Sequence, residues 1–108
     1  MTEVATWVRV AAAKDIPPGE MLAIEAGGRK VAVFHLDDGS WHAIDNLCTH
    51  AYALLTDGWL EGAEIECPLH AGRFDVRTGK ALCAPVDEDV ATYAVRLDGA
   101  EVLLGLPT

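Results

Sequence analysis

Two short stretches, Asn46-Leu47-Cys48-Thr49-His50 and Cys67-Pro68-Leu69-His70, interrupt an otherwise regular pattern of β-strands and turns. Each stretch carries one cysteine and one histidine within four positions, and residues 51 to 66, 16 in all, separate the two. These 16 residues include a predicted strand that can return the chain, so we expect two loops that face each other. A lone cysteine is usually a small buried hydrophobe, but two Cys-His pairs at these spacings predict a binding site.

The rest of the chain is predicted to be all-β, with several small antiparallel sheets. Segments rich in β-formers are short, and turns containing Gly, Asp and Ser separate them. No apolar period of 3.6 residues persists over twelve residues, so we expect no long helix, only one helical turn at Ala11–Asp15. Gly27-Gly28 and Asp98-Gly99 are typical of two-residue hairpin loops. The predicted strands are Thr6–Val10, Met21–Glu25, Lys30–Leu36, Trp41–Asp45, Glu64–Cys67, Arg73–Val76, Thr92–Leu97 and Glu101–Leu104.

A length of 108 residues, half of them hydrophobic, predicts one domain with a small core. Within it we expect a β scaffold, about residues 1–45 and 85–108, with an inserted subdomain, about residues 46–84, that presents the two loops. No apolar run approaches the roughly 18 residues that a membrane helix needs.

The charge balance narrows the classes of partner. There are 8 Lys and Arg against 17 Asp and Glu, for a net charge of −9. Nucleic acid and anionic membranes would be repelled, whereas a partner with a basic surface would be attracted. The first residues lack the basic start and apolar core of a signal peptide, and three cysteines cannot all pair. We therefore expect a reducing cytoplasm, and a monomer is the simplest expectation for the oligomeric state.

Three chemistries compete for the Cys-His pairs. A tetrahedral zinc site would satisfy the ligand count, but zinc fingers place Cys with Cys and His with His along the chain. A Cys-His nucleophilic pair would leave the second pair unexplained. A [2Fe–2S] centre, with two Cys on one iron and two His on the other, suits two loops that each give one ligand of each kind.

The motif Cys-x-His followed by Cys-x-x-His resembles the Rieske family. The resemblance extends to the segments Asp45–His50, Ile65–His70, Gly72–Val76 and Ala81–Val86, which look like the ferredoxin component of aromatic-ring-hydroxylating dioxygenases of the naphthalene and biphenyl type. It implies a Rieske fold and one [2Fe–2S] cluster held by Cys48, His50, Cys67 and His70. It also implies a role: to pass one electron at a time from a flavin-dependent reductase to a terminal oxygenase.

In the family fold the histidine edges reach the surface above buried cysteines. The resemblance therefore implies a small, transient docking surface there, for which Ala51, Tyr52, Leu69 and Pro85 are the candidates. The family often has Gly directly after the first ligand histidine, where this chain has Ala51. The small Rieske subunit of an assimilatory nitrite reductase is the alternative function. A terminal oxygenase fragment would need a second iron site, for which only His35 and His42 remain.

Other residues receive ordinary structural interpretations. We expect Cys83 to be a buried structural thiol, and Trp7, Trp41 and Trp59 to be core or cover residues. The segment Asp87-Glu88-Asp89 is interpreted as a solvated turn. High-potential Rieske proteins carry Ser and Tyr hydroxyls at positions that align with Gly72 and Phe74, so the reduction potential is expected near the low end of the Rieske range, about −150 mV.

Overall fold

A computed structural model describes residues 4–49, 53–69, 71–84, 86 and 88–107. Within them the chain is built almost entirely of β-strands, as predicted. Single turns of 3-10 helix lie at Ala13–Asp15 and Leu55–Asp57. The strands are β1 Val4–Ala12, β2 Glu20–Ala26, β3 Arg29–His35, β4 Trp41–Asp45, β5 Trp59–Glu61, β6 Glu64–Glu66, β7 Arg73–Asp75, β8 Ala81–Cys83, β9 Thr92–Asp98 and β10 Glu101–Pro107.

The strands form two antiparallel sheets. Six strands make the larger sheet, in the order β1-β10-β9-β4-β3-β2, and four make the smaller one, in the order β5-β6-β7-β8. The chain leaves the larger sheet after β4, builds the smaller sheet, and returns at β9, which pairs with β4. Among the described residues there is no helix with the length and apolar character needed to cross a membrane.

All eight predicted strands are present, with ends that differ by a few residues, and two further strands were missed. The missed strands, β5 and β8, are three residues long and lie at the two edges of the smaller sheet. Short edge strands carry little alternation because only one neighbour fixes them. The single predicted helical turn is the 3-10 turn at Ala13–Asp15, after a β1 that runs through Ala12.

The first predicted hairpin is confirmed and the second is shifted by one residue. Gly27 and Gly28 form the loop between β2 and β3, both with positive φ. In the second hairpin Asp98 pairs with Glu101, so the loop is Gly99-Ala100 and not Asp98-Gly99. Gly99, at φ +59°, takes the first loop position, where a two-residue turn of type II′ requires a positive φ.

Strand β3 is buried on both faces and links two hydrophobic clusters. Its residues Val31 and Val33 pack into a cluster within the larger sheet. The alternate residues Ala32 and Phe34 pack into a second cluster, which also contains Cys48, Cys67 and Phe74. Since successive side chains of a strand point to opposite faces, β3 supports both the scaffold and the two cysteine loops. The two cysteine loops therefore pack against a strand that is buried on both faces.

Candidate metal centre

The structure places the two loop cysteines side by side in the interior. Cys48 follows β4 and is 4% exposed, and Cys67 follows β6 and is fully buried. Burial raises the pKa of the Cys67 thiol, and the adjoining Cys48 thiol raises it further through a hydrogen bond and its charge. The backbone N–H of Leu69 donates to the Cys67 sulfur and opposes this shift. Two thiols from separate loops therefore meet in one pocket of low polarity.

Backbone hydrogen bonds close each loop at its base. The N–H of Cys48 donates to the carbonyl of Ala53 at 2.9 Å, and an isolated bridge joins Leu47 to Leu54. In the second loop the N–H of Cys67 donates to the carbonyl of Gly72 at 2.7 Å. Each cysteine is thus fixed by the closure of its own loop, whatever else the loop binds.

The second loop has a backbone conformation that needs support. Ala71 has φ +60°, the one positive φ at a non-glycine position among the described residues. Such a conformation is uncommon for a residue with a Cβ and is found where surrounding contacts fix the chain. Ala71 directly follows His70 in the sequence, and the backbone of the second loop is constrained at Ala71.

A third segment contacts both the first loop and strand β8. The Thr49 hydroxyl donates to the carbonyl of Glu88 at 2.8 Å, and the N–H of Ala81 donates to the Asp89 carboxylate at 2.8 Å. Glu88 and Asp89 are exposed, as a solvated turn predicts, but both hold neighbouring segments in place. Asp87 lies outside the described residues.

The remaining predicted site residues are only partly covered by the structure. His50, His70, Ala51, Tyr52 and Pro85 lie outside the described residues. Leu69 is described and is 43% exposed, as expected for a surface candidate. Within the part of the chain that is described, no group of three or more His, Cys, Asp and Glu side chains could hold a metal ion.

The prediction for Cys83 is wrong, and the core role expected for Trp59 is wrong as well. Cys83 is exposed, because β8 is an edge strand, and its Sγ lies 3.9 Å from the carbonyl oxygen of Ala71. Trp59 begins the edge strand β5 and is 60% exposed. His35 stacks on Trp41 at 4.0 Å between ring centroids, and His42 contacts the Ser40 hydroxyl at 2.9 Å, so both have ordinary structural partners.

Two positions next to the second loop hold no hydroxyl group. Phe74 is fully buried in the cluster that contains both loop cysteines. A Cβ added at Gly72 would lie 2.6 Å from Cγ1 of Val86, so a serine there would require Val86 to move. The packing of Val86 therefore disfavours a side chain at Gly72.

Sequence reasoning missed Asn46, the residue two positions before Cys48. It is 2% exposed and is the one buried polar or charged residue in the described ranges. Its position in the first motif was visible, but its burial was not.

The family model of the Rieske [2Fe-2S] domain matches residues 6–94. The ferredoxin component of the naphthalene 1,2-dioxygenase system of Pseudomonas aeruginosa is 48% identical over 106 residues, which are 98% of this chain and 99% of that protein. The ferredoxin of carbazole 1,9a-dioxygenase from Nocardioides aromaticivorans has a TM-score of 0.89 at 44% identity and covers 96% of this chain and 100% of its own.

A chain of the complex of reduced oxygenase and oxidized ferredoxin in carbazole 1,9a-dioxygenase gives a TM-score of 0.86 at 33% identity, over 92% of both chains. A nitrite reductase small subunit from Mycobacterium tuberculosis is 23% identical over 98% of this chain and 99% of its own, at a TM-score of 0.85, which shows the fold alone. The chain belongs to the Rieske [2Fe-2S] family. Within that family it is a Rieske-type ferredoxin, an electron carrier rather than a catalytic enzyme, with one [2Fe–2S] cluster.

Proposed function

We propose that this ferredoxin passes single electrons from a flavoprotein reductase to the terminal oxygenase of an aromatic-ring-hydroxylating dioxygenase system. The observation that carries the proposal is the pair of buried thiols from two closed loops, in a chain 48% identical to a dioxygenase ferredoxin over nearly its whole length. The reductase, the oxygenase and the direction of transfer are part of the proposal. The nitrite reductase alternative has the weaker support of a shared fold.

We assign Cys48 and Cys67 to one iron, and His50 and His70 to the other. The cysteines fit the inner position because both are buried and adjacent, and thiolates are the ligands that iron–sulfur clusters use. When bound, the cluster supplies a site that accepts and releases one electron. The raised pKa of Cys67 implies that this thiol is protonated at neutral pH without metal, so cluster assembly must release its proton.

The division of the chain follows from this assignment. We propose that residues 46–84 form the cluster-binding part and that residues 1–45 and 85–108 form its scaffold. The smaller sheet lies wholly in the first range, and all six strands of the larger sheet lie in the second. The segment that includes Glu88 and Asp89 then belongs to the scaffold by sequence while bonding to the cluster-binding part.

The reduction potential is proposed to lie near about −150 mV, the low end of the Rieske range. Donors to the sulfurs stabilise the reduced, more negative centre and raise the potential. Phe74 offers none, and Val86 closes the space at Gly72. The net charge of −9 also disfavours the reduced state.

The docking surface is proposed to surround the two loops. Leu47 and Leu69, next to and between the proposed ligands, are 44% and 43% exposed. A carrier that must leave its partners quickly needs a small surface, below about 1,200 Å² in total. Ala51, Tyr52 and Pro85 remain candidates by sequence. The acidic charge favours basic partner surfaces. We propose a monomer in a reducing cytoplasm, where the exposed Cys83 thiol would stay reduced.

Leu69→Ala is expected to slow electron transfer with both partners by roughly tenfold, because truncation of an exposed apolar side chain in the proposed docking surface removes contact area. Leu97→Ala is the matched control: Leu97 is 45% exposed but lies on β9 toward the hairpin with β10. Stopped-flow kinetics with reductase and oxygenase measure both. Equal rates for the Leu69→Ala variant and the unsubstituted protein would place docking elsewhere.

Electron paramagnetic resonance of the reduced protein tests the assignment of the cysteines to one iron and the histidines to the other. Imidazole ligation predicts a mixed-valence signal with an average g value well below that of four-cysteine ferredoxins, together with red-brown colour. The functional proposal is tested separately, by whether the protein restores turnover to a naphthalene-type oxygenase and reductase. A colourless protein that binds zinc would refute the assignment of a [2Fe–2S] cluster. A protein that carries the cluster but supports a nitrite reductase instead would refute the proposed dioxygenase partner.

A further inference from the structure

Asn46 is an unusual residue for its surroundings. It is 2% exposed, and in the described ranges no other polar or charged residue is buried. A buried side-chain amide is costly unless its donors and acceptors are paired. An apolar residue would fill this space at no such cost, so the amide must contribute contacts that an apolar side chain cannot make.

Asn46 joins the two ends of the first cysteine loop through both its backbone and its side chain. The N–H of Leu55 donates to its carbonyl at 2.7 Å. The N–H of Thr56 donates to Oδ1 at 2.9 Å, and Nδ2 donates to the Thr56 hydroxyl at 2.9 Å. Three hydrogen bonds therefore close residues 47–54 at their base.

The same residue attaches this base to the scaffold. Its N–H donates to the carbonyl of Lys30 on β3 at 3.0 Å. Because β3 is buried on both faces from Val31 to Phe34, this contact joins the loop to a strand of the core. Cys48 lies two residues after Asn46, and its own N–H donates to the carbonyl of Ala53. The backbone is therefore held by hydrogen bonds at both residues. No buried side-chain nitrogen or oxygen in the described part of the chain lacks a partner, so the network is complete.

We propose that Asn46 and Thr56 are positioning residues for the cluster, which hold the Cys48 sulfur in a fixed relation to Cys67. A satisfied buried network holds one arrangement, whereas a partly satisfied one leaves the loop free to sample several. The effect on the cluster is indirect, through Cys48. The inference rests on the proposed ligand assignment.

Thr56→Val tests the inference with little change of volume. It removes the acceptor for Nδ2 but keeps the backbone N–H that binds Oδ1. We expect cluster loss to an iron chelator to accelerate about tenfold, in line with one buried donor left unpaired. The g features of the reduced protein are expected to broaden, because Cys48 samples more than one position. Thr56→Ser restores the hydroxyl and is expected to stay within about twofold of the unsubstituted protein.

Val102→Ala is the control for a general loss of stability. Val102 lies on β10, fully buried in the scaffold cluster that contains neither cysteine. Its variant should melt at a lower temperature with unchanged g features. If Thr56→Val matches Val102→Ala in both readouts, or if Thr56→Ser differs from the unsubstituted protein as much as Thr56→Val does, the positioning role is refuted while the ligand assignment stands. If Cys48→Ser retains the cluster, the ligand assignment itself fails.

Discussion

Replacing Cys48 or Cys67 by serine is expected to abolish the visible absorption of the protein and to lower its iron content from roughly two atoms per chain to near zero. Serine keeps the size of the side chain, but its oxygen is a poor substitute for the soft thiolate ligand. Both sulfurs are buried, so the loss of either one removes a ligand at a position that bulk solvent does not reach. Iron analysis and absorption spectra of proteins produced with ample iron measure the effect.

Cys83→Ser is the matched control for these substitutions. Cys83 is an exposed thiol whose Sγ lies 3.9 Å from the second loop, at the carbonyl oxygen of Ala71. It is chemically the same residue near the same site, yet it is not among the proposed ligands. We expect its variant to keep full colour and iron. A colourless Cys83→Ser variant beside a coloured Cys67→Ser variant would reverse the assignment.

Gly58→Ala is expected to lower the stability of the fold by about 3 kcal/mol or more, which corresponds to a fall of roughly 12–20 °C in melting temperature. Gly58 lies between the 3-10 turn at Leu55–Asp57 and β5. A Cβ at this position would overlap the carbonyl oxygen of Glu66, the residue directly before Cys67. The obstacle is backbone on both sides, so neither partner can move without displacing the second loop.

Gly62→Ala separates this overlap from the general effect of replacing glycine. Gly62 has φ +61°, but nothing lies within 4 Å of an added Cβ. Its variant carries only the strain of a positive φ, about 1 kcal/mol. Thermal unfolding of the two proteins should therefore differ by roughly 10 °C. Similar melting temperatures would mean that the chain around Glu66 adjusts easily, and that the second loop is less constrained than described.

The spacing of the two Cys-His pairs indicated the Rieske family through its resemblance to the motif of that family. The comparisons confirm this resemblance. The central strands were predictable as well, since β3 is buried on both faces and consists of a nearly continuous apolar run. An apolar run of this kind predicts a strand correctly because its burial in the folded protein stabilises the same conformation.

Features that depend on the edges of a sheet, or on contacts between distant segments, could not be predicted from the sequence. Ala81-Leu82-Cys83 is apolar enough to predict burial, but it forms an edge strand that leaves Cys83 exposed. The burial of Asn46 depends on Thr56, ten residues away, and on Lys30. No local pattern contains that information, because such contacts exist only once the loops have closed.

The carboxylate of Asp89 accepts a hydrogen bond from the N–H of Ala81, at the start of the outermost strand of the smaller sheet. An exposed edge strand can pair with a strand of another copy of the protein, and aggregation can begin there. An electron carrier acts by diffusion and collision, so identical copies of the molecule also meet one another. Because the Asp89 carboxylate covers this N–H with a negative charge, pairing of the strand edge with a second copy of the chain is unfavourable.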